Sequence, residues 1–310
     1  MITKNDIILV TGGMGFLGQA LQTKLKEAGY GNIRTFSSRD WDLTDPNATQ
    51  AVFKTYHPAV VIHLAAKVGG IGANLATPAT FCRDNLLMGI NVIDQCHDLR
   101  VKKLIIAGTI CMFPCITPVP FREDNLWLGY PEPSNAPYGI AKKTLLVMAQ
   151  SYRKQYGDNF VFLLPVNLMG PHDHVDLQKS HVIPAMIRKF HEAKLRDDSA
   201  VILWGDGSPT REFLYVEDCA EAFIAAMEKY DGELPINIGS GKEISIFDLA
   251  HKVKDLVGFS GDIIWDKTKP NGQPRRCLDV SRAKELLGWQ SKTSFDEGLK
   301  KTYEWYLSSL

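Results

Sequence analysis

The chain has 310 residues, 45% of them hydrophobic, and its 35 basic and 35 acidic residues cancel in net charge. That length suits two domains, and the apolar fraction is sufficient for a core in each. A chain without net charge does not attract nucleic acid or an anionic membrane by bulk electrostatics. We therefore expect a small-molecule ligand and neither of those partners.

Residues 1–6 lead directly into a predicted strand, without the basic and apolar regions of a signal peptide, and no apolar run reaches about 18 residues. We therefore expect a cytoplasmic protein. The cysteines lack a CxxC pair or a histidine cluster, which predicts reduced thiols and no metal site. They are Cys82, Cys96, Cys111, Cys115, Cys219 and Cys277.

Short β-branched runs alternate with helical stretches in the first half of the chain. Strands are predicted at residues 7–11, 33–36, 60–64, 104–107 and 160–164, and helices at 16–28, 79–99 and 138–156. This alternation predicts an α/β fold, a Rossmann-type doubly wound parallel sheet. We assign residues 1–168 to a dinucleotide-binding domain.

Beyond about residue 170 the pattern loosens into a smaller α/β domain for the substrate, residues 169–310. A helix carries Arg188, Lys189 and Lys194, and a charged loop is predicted at 194–199. A helix at 216–230 and a strand at 236–238 are expected to rejoin the first sheet, so residues 213–240 make the second domain discontinuous. An amphipathic helix covers residues 295–310.

The end of the first strand carries Gly12, Gly15 and Gly18, followed by a predicted helix. Glycines allow the sharp turn and the close backbone approach that a pyrophosphate needs, and the helix N-terminus offers free amide groups. The strand before and the helix after this loop favour a dinucleotide site over a simple structural turn. Phe16 and Leu17 belong to the same turn.

Two further strand ends add to this predicted site. After the second strand, Ser38 and Arg39 stand where an acidic ribose ligand is expected, which favours NADP over NAD because arginine accommodates a 2′-phosphate. Asp40 and Asp42 lie close by and keep NAD open. After the third strand, small residues permit close passage of a cofactor, although packing alone would also explain them. They are Leu64, Ala65 and Ala66.

Tyr138 and Lys142 lie four residues apart, which places phenol and ammonium on one helical face. A nearby positive charge favours the phenolate, so the pair suits proton exchange with a substrate oxygen, although taken alone it is equally typical of a solvated helix face. Thr109 follows the fourth strand, where ligands bind in open α/β sheets, and its hydroxyl can hold a substrate carbonyl. Cys111 is by itself more typical of a core thiol, but its position beside Thr109 favours a base that removes a proton next to a ketone.

Several longer strings resemble those of the extended short-chain dehydrogenase/reductases, and within them the GDP-L-fucose synthases. They are residues 67–74 (KVGGIGAN), 108–114 (GTICMFP), 132–138 (EPSNAPY), 180–184 (SHVIP), 188–191 (RKFH) and 210–213 (TREF). The resemblance covers nearly the whole chain. It implies an NADP(H)-dependent enzyme that epimerises carbons 3 and 5 of GDP-4-keto-6-deoxy-D-mannose and then reduces carbon 4.

The same resemblance implies residue roles and an assembly. Tyr138, Lys142 and Thr109 form the reductase triad, and Cys111 and His181 act as base and acid in the epimerisations. Arg188, Trp204, Arg211 and Lys269 contact the GDP-sugar. Pro165, Asn167, Leu168 and His181 join the glycine loop and Lys142 in binding the cofactor. A homodimer is expected.

Departures from the family pattern leave alternatives open. Thr109 replaces the usual serine and Met112–Phe113 the usual Ile–Tyr, changes that suit a modified sugar such as a heptose. An enzyme that only reduces or only epimerises a related GDP-sugar shares most of these motifs. A non-catalytic nucleotide-sugar-binding protein is a further alternative, because fold does not determine function.

Overall fold

A parallel sheet of six strands forms the centre of the first half of the molecule. The computed structural model describes residues 1–176, 180–269 and 271–310, with Ile71 described by its backbone alone. The strand order is β2-β1-β3-β4-β5-β9. The strands are β1 (Ile8–Thr11), β2 (Ile33–Arg34), β3 (Val60–His63), β4 (Lys103–Ala107), β5 (Phe160–Pro165) and β9 (Ile236–Ile238). β1, β3 and β5 are buried along their whole length, as expected for a sheet covered on both faces.

Helices cover both faces of this sheet. One group is α2 (Pro46–Tyr56), α4 (Pro78–Asp98) and α5 (Ala136–Tyr156), preceded by the short α3 (Ile71–Ala76); the other is α1 (Phe16–Glu27) and α7 (Val216–Lys229). α4 packs on α2 and α5, whereas α1 packs on α7. The strand order reverses direction between β1 and β3, and right-handed crossovers therefore place the two groups on opposite faces. Ligands of such sheets bind at this reversal.

A second hydrophobic core lies among the later elements. Its strands are β6 (Asn167–Met169), β7 (Ala200–Trp204), β8 (Thr210–Tyr215), β10 (Glu243–Ser245), β11 (Asp262–Asp266) and β12 (Arg275–Arg276). β8 pairs with β6, β10 and β12, and β7 pairs with β11. The helices are α6 (Val182–Arg196), α8 (Ile246–Val257) and α10 (Phe295–Ser308), while α9 (Ser281–Leu287) packs against α7 and β9.

The predicted fold class is confirmed by the sheet and its helices. One local prediction is wrong: residues 194–196 continue α6 and are not loop. Lysine, leucine and arginine are good helix formers, and the helix ends only at Asp197, whose φ of 56° is left-handed. The sequence pattern did not reveal α2, α3, α8 and α9, nor the strands of the second core, which are β6, β7, β8, β10, β11 and β12.

None of the helices in the described ranges combines the length and the apolar character that crossing a membrane requires.

Candidate active site

The glycine loop between β1 and α1 is shaped by contacts that leave no room for side chains. Gly12 has φ +72°, and a Cβ placed there would lie 2.6 Å from the backbone nitrogen of Ala65. A Cβ at Gly18 would lie 2.3 Å from the carbonyl oxygen of Gly12. Gly15 is the N-cap of α1 and offers no capping side chain, so the first amides of the helix are free to bind an anion. These features fit a dinucleotide pyrophosphate.

The ends of β2 and β3 border this loop. Ser37 donates from both its backbone nitrogen and its hydroxyl to the Asp40 carboxylate, at 3.1 and 2.9 Å, and these bonds lower the pKa of Asp40. Ser38 and Arg39 are exposed beside it. With Asp40 engaged by Ser37, the exposed guanidinium of Arg39 fits the 2′-phosphate of NADP.

Thr11 and His63 meet beneath the glycine loop in a buried contact. Thr11 Oγ1 lies 2.8 Å from His63 Nδ1, and the Ala65 N–H donates to the same hydroxyl at 3.4 Å. Burial, with help from the charge of Lys142, lowers the pKa of His63 to about 3, so its ring is neutral. The contact holds the segment that carries Leu64, Ala65 and Ala66 against the loop.

Tyr138 and Lys142 lie on the first turns of α5, at the end of β4. Lys142 is 1% exposed, and burial lowers its pKa to about 8. Burial and the nearby Cys111 raise the pKa of Tyr138, while a hydrogen bond with the Thr109 hydroxyl opposes that rise. Burial therefore opposes the phenolate that Lys142 is expected to favour. Tyr138 keeps its proton at neutral pH and is suited to donate it.

Cys111 is the middle residue of the 3₁₀-helix Ile110–Met112, which follows Thr109. Its backbone N–H donates to Thr109 Oγ1 at 3.2 Å. Arg276 Nη1 lies 4.0 Å from the Cys111 sulfur. Burial and the charge of Arg276 lower the pKa of Arg211 to about 10, while Cys111 and Glu132 oppose the shift. Two guanidinium groups thus lie near this thiol.

His181 is the N-cap of α6. Its Nδ1 lies 3.4 Å from Asp173 Oδ1, and this contact raises the pKa of His181 although burial opposes it. With Val68, Gly69, His174 and Asp176, it lines a cavity of about 230 Å³. The 67–74 string therefore comes close to the 180–184 string.

The predicted substrate residues fall into separate groups. Lys269 Nζ lies 5.6 Å from the ring centroid of Trp204, which is 62% exposed, so this pair offers a cation and an aromatic face to a ligand. Arg211 is beside Cys111, as described. Arg188 instead donates to Glu192 at 2.7 Å and to the Val175 carbonyl at 3.0 Å, so its guanidinium is engaged within its own region.

The remaining predicted cofactor residues lie at the end of β5 and in β6. Pro165 pairs in register with Ile238. Asn167 Nδ2 donates to the Glu212 carbonyl at 3.0 Å, and Leu168 pairs with Leu214. Pro165, Asn167 and Leu168 lie where the two hydrophobic cores meet.

Sequence reasoning missed three residues of this region. Arg276 lies beside Cys111, Asp173 contacts His181, and His63 supports the glycine loop. His63 could have been identified from the sequence, because it lies at the end of a predicted strand whose following residues were already assigned to the cofactor site. Asp173 and Arg276 are distant in sequence from their partners, and only the folded chain brings them together.

Comparison with known proteins identifies the family. The model of the NAD dependent epimerase/dehydratase family matches residues 8–239. The "Putative GDP-L-fucose synthase 2" of Arabidopsis thaliana is 42% identical over 310 residues, which cover 100% of this chain and 94% of that protein.

Two solved structures show the same similarity. One is the GDP-6-OMe-4-keto-L-xylo-heptose reductase from C. jejuni, with a TM-score of 0.95, 32% identity and coverage of 100% of this chain and 99% of that one. The other is a GDP-L-fucose synthetase from Naegleria fowleri bound to NADP, with a TM-score of 0.91, 32% identity and coverage of 100% and 96%. The chain belongs to the NAD dependent epimerase/dehydratase family, in the branch of the GDP-L-fucose synthases.

Proposed function

We propose that this protein is a bifunctional epimerase/reductase that converts GDP-4-keto-6-deoxy-D-mannose to GDP-L-fucose with NADPH. The observation that carries the proposal is the contact of Thr109 with both Tyr138 and Cys111. The hydroxyl thereby contacts the acid that a reduction needs and, through the backbone N–H of Cys111, holds the turn that carries the thiol an epimerisation needs. The full-length similarity to GDP-L-fucose synthases supports the same reaction.

The cofactor is held by the residues around the glycine loop and the ends of β2, β3 and β5. NADPH supplies the hydride for carbon 4 when it is bound. Arg39 and Ser38 bind the 2′-phosphate, Lys142 binds the nicotinamide ribose, and the α1 N-terminus binds the pyrophosphate. The other cofactor residues are Gly12, Gly15, Phe16, Leu17, Gly18, Leu64, Ala65, Ala66, Pro165, Asn167, Leu168 and His181.

Epimerisation uses the ketone at carbon 4, which acidifies the hydrogens on carbons 3 and 5. Cys111 removes a proton from one face, and His181 returns one to the opposite face through an enolate. The contact with Asp173 raises the pKa of His181, which favours the protonated ring that an acid requires. Thr109 then holds the carbonyl oxygen while Tyr138 protonates it during reduction.

The GDP moiety is held by residues of the second core. Arg211 and Arg188 bind the diphosphate through charge-assisted hydrogen bonds, and Trp204 with Lys269 binds the base. For Arg188 this requires release from Glu192. On this basis residues 1–168 with 213–240 carry the cofactor, and the rest of 169–310 carries the GDP-sugar.

The assembly and the cellular site complete the proposal. We propose a homodimer built through α4 and α5, on whose surface Val147 is 46% exposed. We place the protein in the cytoplasm.

A C4 reductase for a GDP-keto-heptose is the second candidate function. The C. jejuni protein with a TM-score of 0.95 is a heptose reductase, and Thr109 and Met112–Phe113 depart from the usual pattern. Such an enzyme needs Tyr138, Lys142 and Thr109 but has no need of Cys111 and His181 as a base and an acid.

Turnover in heavy water separates the two candidates. The enzyme is incubated with GDP-4-keto-6-deoxy-D-mannose and either NADPH or NADH, and the product is identified by NMR. We expect GDP-L-fucose with solvent deuterium at carbons 3 and 5, and a preference for NADPH. Full NADPH oxidation without deuterium at these carbons would show a simple reductase.

Cys111→Ser tests the division of labour in the same assay. We expect deuterium exchange to fall by about 100-fold or more, because a hydroxyl is a much poorer base than a thiolate. Reduction of an already epimerised ketone should change little, and Cys82→Ser serves as the control for removal of a partly exposed thiol. Equal losses in exchange and in reduction would contradict the assignment of Cys111 as the epimerisation base.

A further inference from the structure

Asp173 is a buried carboxylate that the proposed chemistry has not yet used. Its side chain is 2% exposed, on the loop that follows β6. Oδ1 accepts a hydrogen bond from the His174 N–H at 2.8 Å, while Oδ2 has no hydrogen-bond partner among the residues that the structure describes. A buried carboxylate with so few donors is costly unless a positive charge lies beside it.

His181 supplies that charge. Its Nδ1 lies 3.4 Å from Asp173 Oδ1. An ionised carboxylate only accepts hydrogen bonds, so Nδ1 must carry the hydrogen in this contact. The other ring nitrogen, Nε2, is then the one left to face a ligand.

We propose that Asp173 is a positioning residue for His181. Its carboxylate holds the imidazole with Nδ1–H toward Asp173 and thereby selects Nε2–H as the proton donor to the substrate. The carboxylate stabilises the imidazolium and sets its orientation, as carboxylates do for many functional histidines. The role of His181 as a proton donor rests on the proposed epimerase function, whereas the Asp173–His181 contact does not depend on it.

Other ionisable groups also lie around His181 in the part of the chain that the structure describes. His174 and Asp176 line the same cavity, and Val68 and Gly69 complete it without charge. On the facing segment, Lys67 pairs with Asp84 at 3.5 Å. The segments are in close contact, since a Cβ at Gly70 would lie 3.3 Å from the Ser180 carbonyl oxygen. Asp173 contacts the ring directly.

Each inversion then balances in protons and electrons. The Cys111 thiolate takes the proton from carbon, and the electron pair of the broken C–H bond enters the enolate of the ketone. Nε2 of the imidazolium gives its proton to the opposite face of that carbon, which leaves a neutral ring with its hydrogen on Nδ1. Asp173 exchanges no proton with the sugar. Exchange with water removes the proton from Cys111 and restores that of His181.

The first test is a ¹⁵N NMR titration of the histidines in wild type and Asp173→Asn, with His181→Gln to assign the signal. We expect the His181 midpoint to fall by about one pH unit or more in Asp173→Asn, because an opposite charge at this distance favours the protonated ring. Asp173→Glu keeps the charge and should restore most of the shift. Asp158→Asn is the control, because Asp158 pairs with His97 at 2.6 Å away from the proposed site.

The second test follows deuterium exchange into the keto-sugar against pH. In Asp173→Asn we expect a fall of about 10- to 100-fold, typical for loss of a partner that orients a functional histidine, and a high-pH limb displaced to lower pH. Asp158→Asn should leave the profile unchanged. Reduction of an epimerised ketone should be affected much less.

The outcomes distinguish the two proposals. A His181 midpoint that Asp173→Asn leaves unchanged overturns the positioning role. If wild type shows the expected midpoint but exchanges no deuterium, the epimerase function fails while the pairing stands. Should Asp173→Asn not fold, the ¹⁵N shifts of wild type above the midpoint still decide, because a neutral ring with hydrogen on Nε2 contradicts the inference.

Discussion

Lys142 places a charged group where the chain excludes water. Its side chain is 1% exposed, and burial alone lowers its pKa from 10.5 to about 8. At neutral pH the ammonium is still mostly protonated, as ribose binding requires. The protein therefore keeps a destabilising charge in its interior for the sake of the reaction.

Lys142→Met should be more stable than wild type at pH 7, although inactive as a reductase. Lysine in the unfolded chain keeps its proton to about pH 10.5, whereas folded Lys142 loses it near pH 8. Between these values the unfolded state binds more protons, so the free energy of unfolding of wild type rises with pH. The difference in unfolding free energy between Lys142→Met and wild type should narrow by roughly 2 to 3 kcal/mol between about pH 7 and about pH 10. Urea unfolding at both pH values measures this gap. A gap independent of pH would contradict the lowered pKa of the buried ammonium.

Helices and strands with a strong hydrophobic pattern could be predicted from the sequence, and those without such a pattern could not. Residues 60–64 and 160–164 read as strands because burial on both faces makes them continuously apolar, and the structure places β3 and β5 there. β10 and β12 are three and two residues long and only partly buried, so no periodicity marks them. The glycine loop and the Tyr138 turn were predictable for the same local reason, whereas the Asp173–His181 contact depends on tertiary folding.

Gly139 shows how closely α5 approaches the turn that carries Cys111. A Cβ at Gly139 would lie 2.3 Å from the carbonyl oxygen of Cys111. Gly139→Ala should therefore displace α5 from the 3₁₀-helix and lower the overall rate by about 100-fold, since shifts near 1 Å can cost that much. Far-UV circular dichroism should be nearly unchanged. Thr144→Ala, at an exposed position of the same helix, is the matched control, and equal activity of both variants would refute this account.

Across the whole molecule, one buried carboxylate connects the strands of the two cores. Glu212 of β8 is 0% exposed and accepts hydrogen bonds from the backbone of Gly241 at 2.7 Å and Leu278 at 2.6 Å. Its neighbour Phe213 packs in the second core, and Leu278 packs in the first. The alignment of Arg211 with Arg276 thus depends on contacts that span both cores.

The proposed dimer is tested by light scattering. Wild type should show about twice the 34.6 kDa mass of the chain. Val147→Asp on α5 should shift it to the mass of one chain, because a carboxylate buried at an apolar interface is unfavourable. Leu307→Asp on α10, where the leucine is 44% exposed, is the control and should stay dimeric. A wild-type protein with the mass of one chain would exclude the homodimer.

The position of β9 also determines when the protein can fold during synthesis. β9 closes the free edge of β5, with Leu163 opposite Ile236 and Pro165 opposite Ile238. A ribosome must therefore complete some seventy further residues after β5 before that buried strand edge acquires its partner. Until then the nascent chain exposes an apolar strand with unpaired backbone groups, which is a site for aggregation and for chaperone binding. Truncation before residue 236 would leave every residue of the glycine loop in place and still leave its sheet unfinished.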